Sequence, residues 1–272
     1  MKSFVLSVRT STQNGCQALL AMLALSGFTA WAGPGDLLVG FPANDGPDNI
    51  VYQVVVQPDE NVLVGGDFIN WGPKKQPKLA RVLTDGTLDG SFNLAGDGFN
   101  ASVYAVALQA DGKILAGGNF SIVSSLNRLR LARMKTDGAV DDTLPSLEFN
   151  SDVYAIVAIP GGDFLVGGAF TTVLGQSRPY LARIKANGTL DPTLSITPNG
   201  TVHALARQPD GKLLVGGEFS LVGSTPRIRI ARYNADGTLD TTFDPAAGPN
   251  SRAVSRKVDW PDWLKDGPAE EQ

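Results

Sequence analysis

Cysteine and histidine each occur once in 272 residues, at Cys16 and His203. That scarcity removes whole classes of chemistry. A thiolate metal site needs several cysteines at fixed spacing, and zinc catalysis draws on several histidines. Neither set is present, and nothing marks a cofactor site. No HExxH, Walker, GxSxG or EF-hand motif occurs. No apolar run reaches the roughly 20 residues of a membrane helix, and no useful length of chain keeps a helical period. Positive charge is in deficit, with 23 Lys and Arg against 27 Asp and Glu. Nucleic-acid binders carry basic stripes, so nucleic acid is not an expected partner.

Cys16 lies in residues 1–32, which read as a secretory signal peptide rather than as part of the fold. Lys2 and Arg9 supply a positive start, ALLAMLAL at 18–25 a short apolar core, and Ala30-Trp31-Ala32 an A-x-A cleavage site. Cleavage would leave 21 basic and 27 acidic residues, a net of −6, and no thiol at all. The expected compartment is the periplasm, the cell surface or the medium. No membrane span is expected in the mature chain.

What the sequence has in quantity is glycine, and the glycines recur. NVLVGGDF (61–68), KILAGGNF (113–120), DFLVGGAF (163–170) and KLLVGGEF (212–219) are spaced by 52, 50 and 49 residues. KLAR, RLAR, YLAR and RIAR keep the same beat and end at Arg81, Arg133, Arg183 and Arg232. DGTLD, DGAVD, NGTLD and DGTLD follow, ending at Asp89, Asp141, Asp191 and Asp240. Self-similarity at such a period marks a repeat architecture. The units run about 51–102, 103–152, 153–201 and 202–252.

Each unit reads as four short antiparallel strands. In the second, VYAVALQ (103–109), KILAGGNF, RLRLARMK (128–135) and 140–144 are the strands, and the Asp-Gly dipeptides are expected to be type I′ hairpin turns. Four strands per unit, repeated, is the sequence form of a β-propeller blade. The fold class is therefore all-β, a propeller-type array over 33–254. Glycine weakens a strand unless a bulge or a neighbouring backbone needs the space. The pairs Gly65-Gly66, Gly117-Gly118, Gly167-Gly168 and Gly216-Gly217 are accordingly expected at close blade contacts. Phe68, Phe120, Phe170 and Phe219 should fill the core between blades, and each repeated arginine should pair with its aspartate.

The run DGKILAGGNF…LARMKTDGAVD (111–120 and 131–141), with its counterpart at 210–219 and 230–240, resembles the delta-60 repeat family of bacterial β-propeller repeats. The resemblance covers about 51–252. It transfers no catalytic residue, and implies export and a binding role at the surface or envelope.

In an antiparallel meander, successive connections lie on opposite faces. The second connection and the links between blades share one face, and length varies in the links, so binding is expected there. That connection carries Lys74, Lys75, Arg128, Arg178 and Arg227. Lys78, Arg130 and Arg229 stand nearby, with Asp97, Glu148, Asp152 and Asp244 in the links. Trp71 is the one large aromatic there, placed to stack on a sugar ring. Trp71, Lys75, Arg128, Arg178 and Arg227 are the candidate ligand-binding residues. His203 fills the place of Tyr52, Tyr104 and Tyr154 and reads as a ring of the repeat, not a general base. The expected function is binding or scaffolding of a glycan or protein partner. A polysaccharide hydrolase or lyase using loop acids, and a purely structural array, are the alternatives.

At the ends, residues 36–42 resemble a final strand, while 255–272 abandon the repeat and read as a polar tail. Four blades make either a small ring or an arc of a longer propeller. The arc is the expectation, with self-association through its open edges.

Overall fold

The computed structural model describes residues 46–94, 96–194 and 197–245. The expected signal peptide, the expected strand at 36–42 and the tail from Ser255 lie outside the described residues. All regular structure among the described residues is β, and no helix there is long and apolar enough to cross a membrane.

The first blade comprises β1 (Val51–Val56), β2 (Val62–Gly66), β3 (Asn70–Trp71), β4 (Lys74–Lys75) and β5 (Leu79–Val82). The second has β6 (Val103–Leu108), β7 (Ile114–Gly118), β8 (Ile122–Val123), β9 (Leu126–Asn127) and β10 (Leu131–Met134). The third has β11 (Val153–Ala158), β12 (Phe164–Gly168), β13 (Thr172–Val173), β14 (Gln176–Ser177) and β15 (Leu181–Ile184). The fourth has β16 (Val202–Arg207), β17 (Leu213–Gly217), β18 (Leu221–Val222), β19 (Thr225–Pro226) and β20 (Ile230–Tyr233). Each blade is a three-stranded antiparallel sheet, β1-β2-β5 and its equivalents, with a two-stranded hairpin in the second connection.

Two local expectations are corrected. The fourth strand shrinks to one bridge per blade, Val82 to Leu88, Met134 to Val140, Ile184 to Leu190 and Tyr233 to Leu239. The cause is the aspartate that follows. Asp141 Oδ1 accepts from the Thr143 N–H (3.1 Å) and hydroxyl (2.6 Å), an Asx turn that bends the chain out of the ladder. Asp89, Asp191 and Asp240 repeat it with Ser91, Thr193 and Thr242. The Asp-Gly turns are also not type I′. Gly112 donates to the Gln109 carbonyl while the Gln109 N–H donates to Lys113. Only the glycine is left-handed, at φ 81°, which is a three-residue loop with a glycine bulge. Positive φ at both central positions appears instead in the small hairpins, at Ser124-Ser125 and Leu174-Gly175.

The cores lie between blades. Leu63 and Leu79 of the first blade pack with Ile114, Ala116, Phe120, Ala132 and Met134 of the second. Leu115 and Leu131 do the same with Phe164, Val166 and Phe170, and Leu165 and Leu181 with Leu213, Val215 and Phe219. Burying such a leucine contributes about 1.5–3 kcal/mol, so adjacent blades stabilise one another. Along the axis β1 packs on β6, β6 on β11 and β11 on β16. Among the described residues the sheets do not close into a ring.

The two glycines of each pair make room for different things. A Cβ on Gly117 would lie 2.4 Å from Val153 Cγ1 and one on Gly167 2.4 Å from Val202 Cγ1, both valines on the next blade's inner strand. A Cβ on Gly118 would lie 1.9 Å from the Ser102 carbonyl oxygen, in the same blade, where β6 bulges. The first glycine admits the neighbouring blade. The second admits the bulge.

Candidate functional site

The bulge repeats in every inner strand. Pairing slips between Val51 and Gln53, Val103 and Ala105, Val153 and Ala155, and Val202 and Ala204. The skipped residues are Tyr52, Tyr104, Tyr154 and His203. A bulge re-aims a side chain, and these four are turned into one row. Ring centroids lie 5.1 Å apart from Tyr52 to Tyr104, 5.6 Å from Tyr104 to Tyr154 and 5.2 Å from Tyr154 to His203. All four rings are half-buried. Val51 pairs with Gly66, where β2 leaves for the small hairpin. The row therefore sits on the second-connection face, at its inner rim.

Charged groups flank it. Lys78 and Asp67 form an ion pair at 2.8 Å, and the Ser102 hydroxyl donates to the same Asp67 oxygen at 2.7 Å. Burial pushes the Asp67 carboxyl up, but these bonds outweigh it and hold it below the usual range. Arg130 reaches Asp152 at 3.8 Å and donates to the Asn119 carbonyl. Burial, reinforced by the Asp152 charge, raises the Tyr104 and Tyr154 phenols, which stay protonated as donors. His203 Nε2 lies 3.1 Å from Glu218. Beside that pair opens a groove of about 470 Å³ lined by Asn199, Glu218, Phe219, Ser220, Ile228 and Arg229. Among the described residues no group of three or more His, Cys, Asp or Glu is placed to hold a metal.

Lys78, Arg130, Tyr180 and Arg229 share a backbone device. Each is left-handed, with φ between 63° and 68°, and each N–H donates to the preceding Phe68, Phe120, Phe170 or Phe219 carbonyl at 2.8–2.9 Å. A non-glycine residue in that region costs on the order of 1 kcal/mol. Of the side chains so directed, Lys78 reaches Asp67 and Arg130 reaches Asp152 beside the row, Arg229 lines the groove at Glu218, and Tyr180 packs on the core between the third and fourth blades.

The candidate ligand residues named from sequence do not converge. Trp71 is 3% exposed and packs edge-on against Phe68 at 5.8 Å. It occupies the hairpin position of Val123, Val173 and Val222, all buried, so its ring is core and unavailable for stacking on a sugar. Arg227 is 6% exposed and donates to the Pro226 and Thr241 carbonyls. Arg178 donates to the Leu194 carbonyl at 2.9 Å and Arg128 to that of Asn127 at 2.9 Å. Lys75 alone is well exposed, paired with Asp97 at 2.5 Å. These arginines direct their donors to backbone carbonyls of their own hairpins and of the links that follow.

The repeated Arg and Asp are in contact in every blade. Nε to Oδ2 distances are 2.6 Å for Arg81–Asp89, 2.8 Å for Arg133–Asp141, 3.3 Å for Arg183–Asp191 and 2.8 Å for Arg232–Asp240. Arg81 also donates to the Thr136 carbonyl at 2.6 Å and Arg133 to that of Ala186 at 3.3 Å, each in the next blade.

Sequence reasoning missed a second recurring clip. Oδ1 of Asp48 and the corresponding side-chain oxygens of Asn100, Asn150 and Asn199 each accept two backbone N–H bonds from the hairpin that follows, as Asn100 does from Ser121 and Ile122 at 3.0 Å. The signal was available as Asp or Asn three residues before each inner-strand valine.

Four bulged antiparallel blades, stacked with their inner strands side by side, define a β-propeller repeat protein. The chain belongs to the family described as "Domain of unknown function (DUF5122) beta-propeller", which matches residues 57–92, 109–144, 162–194 and 208–243, just over half of it. No curated protein matches significantly. Among solved structures, a protein of unknown function from Bacteroides caccae is similar at 16% identity and a TM-score of 0.41, over 73% of this chain and 66% of that one. The WD40 β-propeller domain of Doa1 is similar at 17% identity and a TM-score of 0.43, over 71% and 68%. PorZ, a surface component of the type-IX secretion system of Porphyromonas gingivalis, gives 13% and 0.32, and this chain covers 24% of it. At such scores these likenesses carry no argument about function.

Proposed function

We propose that this is an exported binding or scaffold module that docks a glycan or a protein partner along the inner rim of its hairpin face, without catalysis. One observation carries the reading: Tyr52, Tyr104, Tyr154 and His203 form an unbroken, half-exposed row, bracketed by Asp67, Asp152, Glu218 and Arg130. Aromatic edges with hydroxyl donors and paired charges suit a hydroxyl-rich or peptide surface, because each group combines an apolar body with a polar tip. The rim is built by rigid strands, so a partner meets preformed geometry and little ordering entropy is lost on docking. Export rests on the leader-like first 32 residues.

The test is a panel of bacterial polysaccharides and surface-derived peptides, titrated against the whole chain and against a Tyr104→Ala/Tyr154→Ala variant checked for an unchanged circular dichroism spectrum. A ligand whose affinity falls about tenfold or more in the variant, some 1.4 kcal/mol, supports the rim. Ligands bound equally by both proteins, or none across the panel, refute it.

A further inference from the structure

The blades repeat, but the polar groups beside the aromatic row do not. Three repeat positions meet where one blade passes to the next: the residue after the glycine pair, the left-handed residue, and the residue before the next inner-strand valine. Between the first and second blades these are Asp67, Lys78 and Ser102, and they satisfy one another. The Lys78 ammonium and the Ser102 hydroxyl reach the same Asp67 oxygen at 2.8 and 2.7 Å. Between the third and fourth blades they are Ala169, Tyr180 and Thr201, with no charge among them. Between the second and third they are Asn119, Arg130 and Asp152, and there the bonds do not close.

Arg130 Nη1 donates to the Asn119 and Phe120 carbonyls, but its Nε is buried and donates to no protein atom. Asp152 Oδ1 lies 3.8 Å from that Nε, beyond hydrogen-bond reach. The other Asp152 oxygen accepts from the Tyr154 hydroxyl at a long 3.4 Å. Asn119, which stands where Asp67 meets both Lys78 and Ser102, has a buried Oδ1 that accepts from no protein donor. The Nε atoms of Arg128, Arg178 and Arg227 are unpaired too, but those three recur at one repeat position and belong to the construction of the hairpins. Buried polar groups are nearly always hydrogen-bonded. A donor and two acceptors left short at one junction, beside Tyr154, therefore call for a partner from outside. The Arg130 and Asp152 side chains are each 28% exposed, so such a partner has access among the described residues.

The chemistry of that partner is constrained. Arg130 Nε needs an acceptor, while Asp152 and Asn119 Oδ1 need donors. An ammonium only donates, and a phosphate or carboxylate only accepts and meets the charge of Asp152. A hydroxyl does both. One oxygen about 2.8 Å from each atom bridges Arg130 Nε and Asp152 Oδ1, which are 3.8 Å apart. A peptide group also donates and accepts, but its N–H and C=O point in opposite directions, so one group cannot make that bridge. A peptide strand is also out of step with the row, since its same-face side chains repeat at about 6.4–6.8 Å and the rings at 5.1–5.6 Å. We propose that Asn119, Arg130 and Asp152 form a hydroxyl-binding subsite of the rim and that its ligand is a neutral glycan. One sugar hydroxyl accepts from Arg130 Nε and donates to Asp152, and a neighbouring hydroxyl donates to Asn119 Oδ1. The inference rests on the rim as the binding face and narrows its ligand to one class.

The repeat itself supplies mild substitutions. Asp152→Ser and Asn119→Ala introduce residues that Ser102 and Ala169 already hold at the equivalent places, so an unchanged circular dichroism spectrum is expected. Neutral hexasaccharides of glucose, galactose and mannose are titrated calorimetrically against the full chain, beside glucosamine and uronic acid hexamers and Ser/Thr-rich hexapeptides. A neutral hexasaccharide should bind, and Asp152→Ser should weaken it about tenfold or more. Monodeoxy analogues separate contact from mere structural support. The analogue lacking the bridging hydroxyl should lose as much on the parent chain and almost nothing further on Asp152→Ser, a coupling that an indirect role does not produce. A charged glycan or a peptide that is the sole class lost on Tyr104→Ala/Tyr154→Ala overturns the subsite and leaves the rim standing. A neutral glycan bound equally by the parent and Asp152→Ser does the same. No ligand sensitive to the tyrosine pair overturns both.

Discussion

Replacing Arg133 with alanine separates what a blade pair does inside the array from what it does at an end. Asp141 is 2% exposed and is held by four donors: the Thr143 N–H and hydroxyl, Arg133 Nε at 2.8 Å and Lys113 Nζ at 3.3 Å. Arg133 is itself buried and donates further to Thr143 Oγ1 at 3.0 Å and to Ala186 of the next blade. Truncation removes a charge-assisted bond to a buried carboxylate, worth about 1.5–3 kcal/mol, together with weaker bonds. Lys113 remains as a cation, which limits the penalty. The expected loss is about 3 kcal/mol. Arg232 offers the contrast. Its side chain is 23% exposed, and Lys212 lies 2.9 Å from the same Asp240 oxygen. Arg232→Ala should cost only about 1 kcal/mol, because a second cation and water take over. Urea denaturation of both variants measures the difference as a shift in midpoint at unchanged slope. Equal losses, or less than about 1 kcal/mol for Arg133→Ala, would show that the next-blade tie and the burial of Asp141 contribute little.

The glycine pairs yield a graded series. Gly117→Ala, whose Cβ would press on Val153 at 2.4 Å, should cost about 2–3 kcal/mol, and Gly118→Ala, which meets backbone oxygen at 1.9 Å, should cost more. Gly216→Ala should stay within about 0.5 kcal/mol of the parent, and a comparable loss at all three positions would refute the assignment of the slots. The first blade has Glu60, at φ 66°, where the matching turns carry Gly112 and Gly211. Glu60→Gly should therefore raise stability by roughly 0.5–1 kcal/mol, read from the same denaturation curves. Burial pushes the Asp141 carboxyl up, but Thr143, Arg133 and Lys113 outweigh it and bring it down to about 2. A carboxyl lowered from 3.8 contributes stability that is complete above about pH 4 and disappears as pH falls through about 2, some 2 kcal/mol in all. Asp141→Asn should flatten that acid limb in melts recorded across this window. An unchanged limb would mean that the pair is not what acid breaks.

How much was legible follows from how many copies each feature has. The glycine pair, the Leu-Ala-Arg run and the Asp-Gly turn each occur at four places, and recurrence at one period identifies a blade without any contact being known. The Arg–Asp contact followed as well, since eight residues across a hairpin bring the two side chains together. Trp71 shows where the reasoning failed. It was judged as a single residue in a loop, although its place in the repeat is held by valine in the other three blades, which marks a core position. The aromatic row was half visible. Tyr, Tyr, Tyr and His at one repeat position were evident, but their alignment depends on a bulge, and nothing in the spelling of Val-Tyr-Gln-Val distinguishes a bulged strand from a regular one.

The sequence by itself determined the period, the antiparallel blade, the four copies and the reason glycine recurs in them. These are local matters of strand propensity, turn chemistry and missing Cβ atoms, each contained within one unit of about 50 residues. Tertiary structure decided three things. The fourth strand is a single bridge, because an aspartate takes the N–H groups a ladder would need. The rings of four separate units form one row, because bulged strands pack side by side. The array stays open at Gly216, where the slot that holds a neighbour's valine in the first three blades has none among the described residues. The first is a local competition between an aspartate side chain and the ladder, whereas the other two depend on how units separated by some 50 residues meet, and contacts at that range are set by packing between blades rather than by the propensity of any one strand.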